Sequence, residues 1–129
     1  MKKVMVFGTF DILHQGHLDY FKQAKRHGDE VVAVVARNIN VFRMKGQYPK
    51  NDEKVRLAKV VASQAVKVAR LGYLEDKFKI IREENPDVIA LGYDQQGYED
   101  ELQKEFPETK IVRLKAFKPE IYKSSKLIK

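Results

Sequence analysis

Cysteine is absent from the chain, which excludes a disulfide framework and a thiolate-held metal site. Long apolar runs are absent too. None approaches the roughly 20 residues that a membrane span requires. The run that follows Met1-Lys2-Lys3 ends at Gly8, too short for a signal peptide's apolar region and cleavage site. A soluble cytoplasmic protein is therefore expected. No repeat, low-complexity segment or linker interrupts the sequence, so its 129 residues read as a single domain with a core of its own. What is plentiful is positive charge: 25 Lys+Arg against 18 Asp+Glu, a formal net charge of +7. Such a surface favours anionic partners. The basic residues are spread without a block, and no basic–aromatic interleaving marks a nucleic-acid stacking platform. The reading is a solvated basic surface with no nucleic-acid partner and no membrane.

In chain order, strands and helices alternate. Val4-Met5-Val6-Phe7 reads as a buried strand. His17 to His27 reads as a helix, with Leu18, Phe21 and Ala24 on one face and Gly28 as a cap. Glu30 to Arg37 is a β-branched run fit for a strand buried on both faces. The segment Asn38 to Asn51, with Gly46 and Pro49, reads as a long loop or a short helix plus loop, and a mobile lid is expected there. A helix capped by Asn51 or Asp52 runs to about Ala62, with Val55, Leu57/Ala58 and Val61 as its apolar side. Further strands at Ala65–Leu71, Asp87–Leu91 and Lys110–Leu114 enclose helices at 76–85 and 98–106, the first stopped by Pro86. A short capped helix is expected at the C-terminus. The fold class that follows is α/β: a doubly wound, five-stranded parallel sheet flanked by helices.

Chemistry concentrates in Gly8-Thr9-Phe10-Asp11-Ile12-Leu13-His14-Gln15-Gly16-His17, where the first strand hands over to the first helix. That is the carboxyl edge of the sheet, where open α/β sheets bind ligands. A helix N-terminus there offers N–H groups and the positive end of a dipole, suited to phosphate. Gly16, lacking a Cβ, would let a ligand approach the backbone. His14 and His17 could direct donors at the same group. The Gly-x-Gly-x-x-Gly of dinucleotide binders, the P-loop lysine and a nucleophilic serine elbow are all missing.

This stretch resembles the signature of the cytidylyltransferase-like nucleotidyltransferases, whose hallmark is His-x-Gly-His. Arg37 and the following loop, Lys45-Gly46, Arg56, Leu91-Gly92-Tyr93-Asp94-Gln95 and Ser124-Ser125 fall in the family's order, over nearly the whole chain. The resemblance implies transfer of a nucleoside monophosphate from a nucleoside triphosphate to a phosphorylated small molecule, with release of pyrophosphate. It implies catalytic roles for His14, His17 and Lys45. Thr9, Phe10, Gly16, Asp94, Ser124 and Ser125 would bind the nucleotide, and Asp11 and Arg56 the substrate. Mg²⁺ would arrive on the triphosphate, with no metal site on the protein. A homodimer is also implied. The residues keep plainer readings open: a surface lysine for Lys45, a surface ion pair for Arg56, helix N-caps for Asp94, Ser124 and Ser125. One departure stands out, since no arginine follows Ser125, leaving Lys123 or Lys126 to supply that charge. Ala36-Arg37, Lys45-Gly46 and the Leu91–Gln95 segment most resemble the archaeal-type FAD synthases, which use ATP and FMN. Glycerol-3-phosphate cytidylyltransferases with CTP, heptose-phosphate nucleotidyltransferases, and a non-catalytic nucleotide-binding module are the alternatives.

Overall fold

The computed structural model describes residues 2–92 and 99–115. The elements are β1 (Lys3–Gly8), α1 (Gln15–Lys25), β2 (Glu30–Val35), α2 (Asn38–Lys45), α3 (Glu53–Ala62), β3 (Val68–Leu71), α4 (Lys79–Glu84), β4 (Val88–Leu91), α5 (Glu99–Glu105) and β5 (Lys110–Arg113). Every pairing is parallel, and the strand order is β3-β2-β1-β4-β5. The chain thus winds outward from β1 to β3, then returns to the other side of β1. The switch point lies between β1 and β4, where Val6 faces Ala33 on one side and Ala90 on the other.

Side-chain alternation along the strands divides the core in two. Val4, Val6, Val31, Ala33, Val35, Val88 and Ala90 face one layer, against Phe21 and Ala24 of α1 and Val60 of α3. Met5, Val32, Val34, Ile89 and Leu91 face the other, against Ile80 and Ile81 of α4 and Leu102 of α5. The inner strands are apolar on both sides because helices cover both sides.

Several expectations shift in detail. The Asn38–Asn51 segment is a helix plus loop: α2 ends at Gly46, whose φ of 78° is the left-handed cap that glycine adopts without strain. Gly28 is not the cap of α1; Arg26 is. A Cβ on Gly28 would lie 2.6 Å from Val4 Cγ2, so close approach to β1 requires the glycine. The buried face of α3 is Arg56 and Val60, while Val55 and Val61 are exposed. Asp52 caps that helix through the Lys54 N–H, and the bonds that Arg56 makes set its rotation. The expected terminal helix lies outside the described residues.

Candidate active site

The loop after β1 is built around Phe10. Its φ of 52° is left-handed backbone that an aromatic residue seldom adopts. Packing holds it there: the ring is buried, 5.2 Å from Phe21 and 5.4 Å from His17. A Cβ on Gly8 would sit 2.7 Å from that ring, so Gly8 and Phe10 require each other. With the side chain committed to the core, only the backbone of Phe10 is left for the expected nucleotide contact.

The two histidines cap α1. His14 is the N-cap, in extended conformation, and its Nδ1 accepts from the Gly16 N–H at 3.0 Å. The Nδ1 of His17 accepts in turn from the His14 N–H at 3.3 Å. His-x-x-His therefore reproduces the reciprocal capping box that Ser/Thr-x-x-Glu usually makes. The rings stack with centroids 4.1 Å apart. An Nδ1 that accepts a backbone proton carries none of its own, so each neutral imidazole holds its proton on Nε2. Gly16 has a structural task beside the one expected. A Cβ there would lie 2.8 Å from His14 Cε1, so the glycine makes room for the His14 ring. Its N–H is engaged by that ring rather than offered to a phosphate.

A second set of bonds ties this loop to the start of α3. The Asp11 carboxylate accepts from the Lys50 N–H at 2.7 Å and the Asn51 N–H at 2.8 Å. Asn51 Nδ2 donates to the Asp11 carbonyl at 2.7 Å. Burial would raise the Asp11 pKa, but these bonds outweigh it and hold the carboxyl below its ordinary value. Arg56 is fully buried. Its Nε donates to the Asn51 carbonyl, Nη1 to the Thr9 carbonyl at 2.7 Å and Nη2 to Asn38 Oδ1 at 2.7 Å. Burial lowers its pKa against the pull of Asp11, Glu53 and Asp52, and the guanidinium stays charged. Whatever their expected contact with substrate, in the fold Arg56 positions Thr9 and the loop from inside, and Asp11 clamps two loops together.

Sequence reading missed the partners of this network. Glu53 accepts from the Asn38 N–H and from Arg37, and Arg37 also donates to the Gly72 carbonyl. The signal was faint: amide side chains at both ends of the Asn38–Asn51 segment. The His-x-x-His spacing, by contrast, could have been read as a capping box. Lys45 is the last residue of α2, exposed, and its ammonium makes no hydrogen bond or ion pair with a described residue. Asp94, Ser124, Ser125, Lys123 and Lys126 lie outside the described residues. A cleft of about 320 Å³ opens beside the carboxyl ends of β2 and β3, lined by Arg37, Tyr73 and Lys79 among others. Among the described residues no helix is long and apolar enough to cross a membrane.

Comparison with known proteins bears on this geometry. The FAD synthase of Thermoplasma volcanium is 42% identical over 133 residues, covering 100% of this chain and 93% of that protein. The FAD synthase of Methanohalophilus mahii is 44% identical over 118 residues, 88% of this chain and 82% of its own. Among solved structures, a lipopolysaccharide core biosynthesis protein from Thermoplasma volcanium GSS1 superposes with a TM-score of 0.84 at 44% identity, covering 91% of this chain and 98% of that one. The cytidylyltransferase-like family model matches residues 5–129. With its capped histidine pair at the β1/β4 switch point, the chain belongs to the cytidylyltransferase-like family and is a nucleotidyltransferase.

Proposed function

We propose that this chain is an FAD synthase, an FMN adenylyltransferase that uses ATP and acts as one domain over residues 1–129 in the cytoplasm. The observation that carries the reading is the histidine pair, whose backbone-engaged Nδ1 atoms fix both protons on Nε2 at the start of α1. The full-length FAD synthase relatives supply the acceptor.

In the reaction an oxygen of the FMN phosphate attacks the α-phosphorus of ATP. The bond from that phosphorus to the bridging oxygen of the β-phosphate breaks, and pyrophosphate leaves. The protein's work is positioning and charge stabilisation. His14 and His17 donate from Nε2 to oxygens whose charge grows in the transition state. Lys45, on the exposed end of α2, adds a cation on the phosphates. Thr9 and Phe10 supply backbone N–H groups. Asp94 would line the nucleotide pocket, and Ser124 and Ser125, with Lys123 or Lys126, would hold the β- and γ-phosphates. Mg²⁺ would arrive on the triphosphate, where it would neutralise charge on the phosphates. Asp11 is a poor ligand for it, since both carboxylate oxygens accept N–H donors. We take the working unit to be a homodimer and expect no nucleic-acid partner.

The test is product formation. Purified protein with ATP, FMN and Mg²⁺ should yield FAD and pyrophosphate in equal amounts, read by chromatography and a coupled pyrophosphate assay. The name of the solved relative makes ATP with a sugar phosphate the second pair to run, and CTP with glycerol 3-phosphate the third. Pyrophosphate from either of those, with none from ATP and FMN, would overturn the FAD synthase reading.

A further inference from the structure

Phe42 on α2 and Tyr48 on the loop after it stack with ring centroids 4.6 Å apart and planes 25° from parallel. The pair is not a core contact. Phe42 is 40% exposed, Tyr48 59% and Met44 between them 70%. Ile12, next to Asp11 in the histidine loop, is 56% exposed. These are the large apolar groups that the segment would bury if water were its only neighbour.

The hydrogen bonds place this face beside the histidines. Asp11 holds the Lys50 N–H at 2.7 Å, and Tyr48 lies two residues before Lys50. Two residues of chain span at most about 7 Å, and the three from Asp11 to His14 about 11 Å. The Asp11 clamp thus seats the loop that carries Tyr48 against the loop that carries the histidines, as an elongated acceptor such as flavin mononucleotide, whose ribityl chain separates ring from phosphate, would require. The rim is basic: Arg43 and Lys45 in the last turn of α2, and Lys50. An apolar stack with a cationic border complements a flat ring bearing a dianionic phosphate.

We infer that the Phe42–Tyr48 stack, with Met44 beside it, is the seat of the flavin's isoalloxazine ring and the element that selects FMN as acceptor. This rests on the FAD synthase reading and goes beyond it, since that reading names the acceptor without saying what recognises its ring. A glycerol or sugar phosphate has no aromatic face for this stack to cover.

The test uses the full chain with Tyr48→Ala, Phe42→Ala and the conservative Tyr48→Phe, all at exposed positions, with thermal melts to confirm folding. Each alanine variant should raise the KM for FMN by about tenfold, the scale of a lost ring–ring stack. The KM for ATP and kcat at saturating FMN should stay near wild type. Tyr48→Phe should restore the KM, because the ring and not the hydroxyl does the work. Quenching of flavin fluorescence on binding, present in wild type, should weaken in the alanine variants. If wild type makes FAD but both alanine variants keep its FMN KM and its quenching, the inference is overturned and the FAD synthase reading stands. A lowered oligomeric mass with unchanged FMN KM assigns the face to a second copy and likewise overturns it. A wild-type chain that neither forms FAD nor quenches flavin fluorescence overturns both.

Discussion

At the residue scale, mutation can separate the capping of α1 by His14 and His17 from the donor role proposed for them. Each caps α1 through Nδ1, which leaves the proton of the neutral imidazole on Nε2. His14→Ala and His17→Ala should each lower kcat by about 10²–10³, the loss typical of one transition-state donor, with a much smaller change in the KM for ATP. His14→Asn would keep a cap without the imidazole, so it should melt near wild type while remaining as inactive as His14→Ala. Gly16→Ala drives a methyl against the His14 ring, and its kcat should fall although the substituted residue has no chemistry. Asp11 gives a pH prediction. Its folded pKa lies below its ordinary value, so the clamp contributes fully above the unfolded value, about pH 4, and is lost as pH falls through the lower folded value. The melting-temperature gap between wild type and Asp11→Asn should therefore be widest near neutrality and narrow as pH falls below the unfolded value. A gap that widens in acid would contradict the sign of the shift.

At the element scale, α3 is held in rotation by a buried cation. Arg56→Lys keeps the charge but cannot reach three separate acceptors with a planar fork. It should cost about 3 kcal/mol in denaturant melts, as expected when buried partners are left unmatched, and lower kcat through the Thr9 loop. The lid expected over Asn38–Asn51 is proposed here in a narrower form. Its ends are pinned, Asn38 to Glu53 and Asp52, and Lys50 and Asn51 to Asp11. Its middle, from Arg43 to Tyr48, is exposed. Amide exchange with ATP and Mg²⁺ should slow between residues 43 and 49 and stay constant at the pinned ends. Equal exchange throughout, with and without nucleotide, would make α2 plain scaffold. Element types were legible because buried strands and amphipathic helices leave apolar runs of different period. The rotation of α3 was not, because a buried arginine breaks the period: Val55 and Val61 looked like the core side, and Arg56 with Val60 is.

At the scale of the whole molecule, the five strands of the sheet and, among the described residues, the buried members of both core clusters all lie upstream of residue 116. A chain deleted from Tyr122 onward should thus melt cooperatively within a few degrees of the full chain. If Ser124 and Ser125 hold the triphosphate, the same deletion should raise the KM for ATP sharply and abolish turnover, and Ser124→Ala with Ser125→Ala should reproduce the loss in part. Unchanged KM and kcat in the double-serine variant would remove the phosphate role. By itself the sequence determined the parallel α/β sheet, and the resemblance of its His-x-Gly-His stretch to a known family pointed to nucleotidyltransferase chemistry and to a site after β1. Those depend on local patterns: two-sided apolar strands, caps, and a motif whose parts lie within one turn of helix. Tertiary structure alone decided that Arg56 is internal, that Asp11 is a clamp and that Phe42 and Tyr48 meet in the open. Each is a contact between segments or between side chains, and no spacing along the chain records it. Whether a polar group faces a substrate or a carbonyl depends on what the fold brings opposite it.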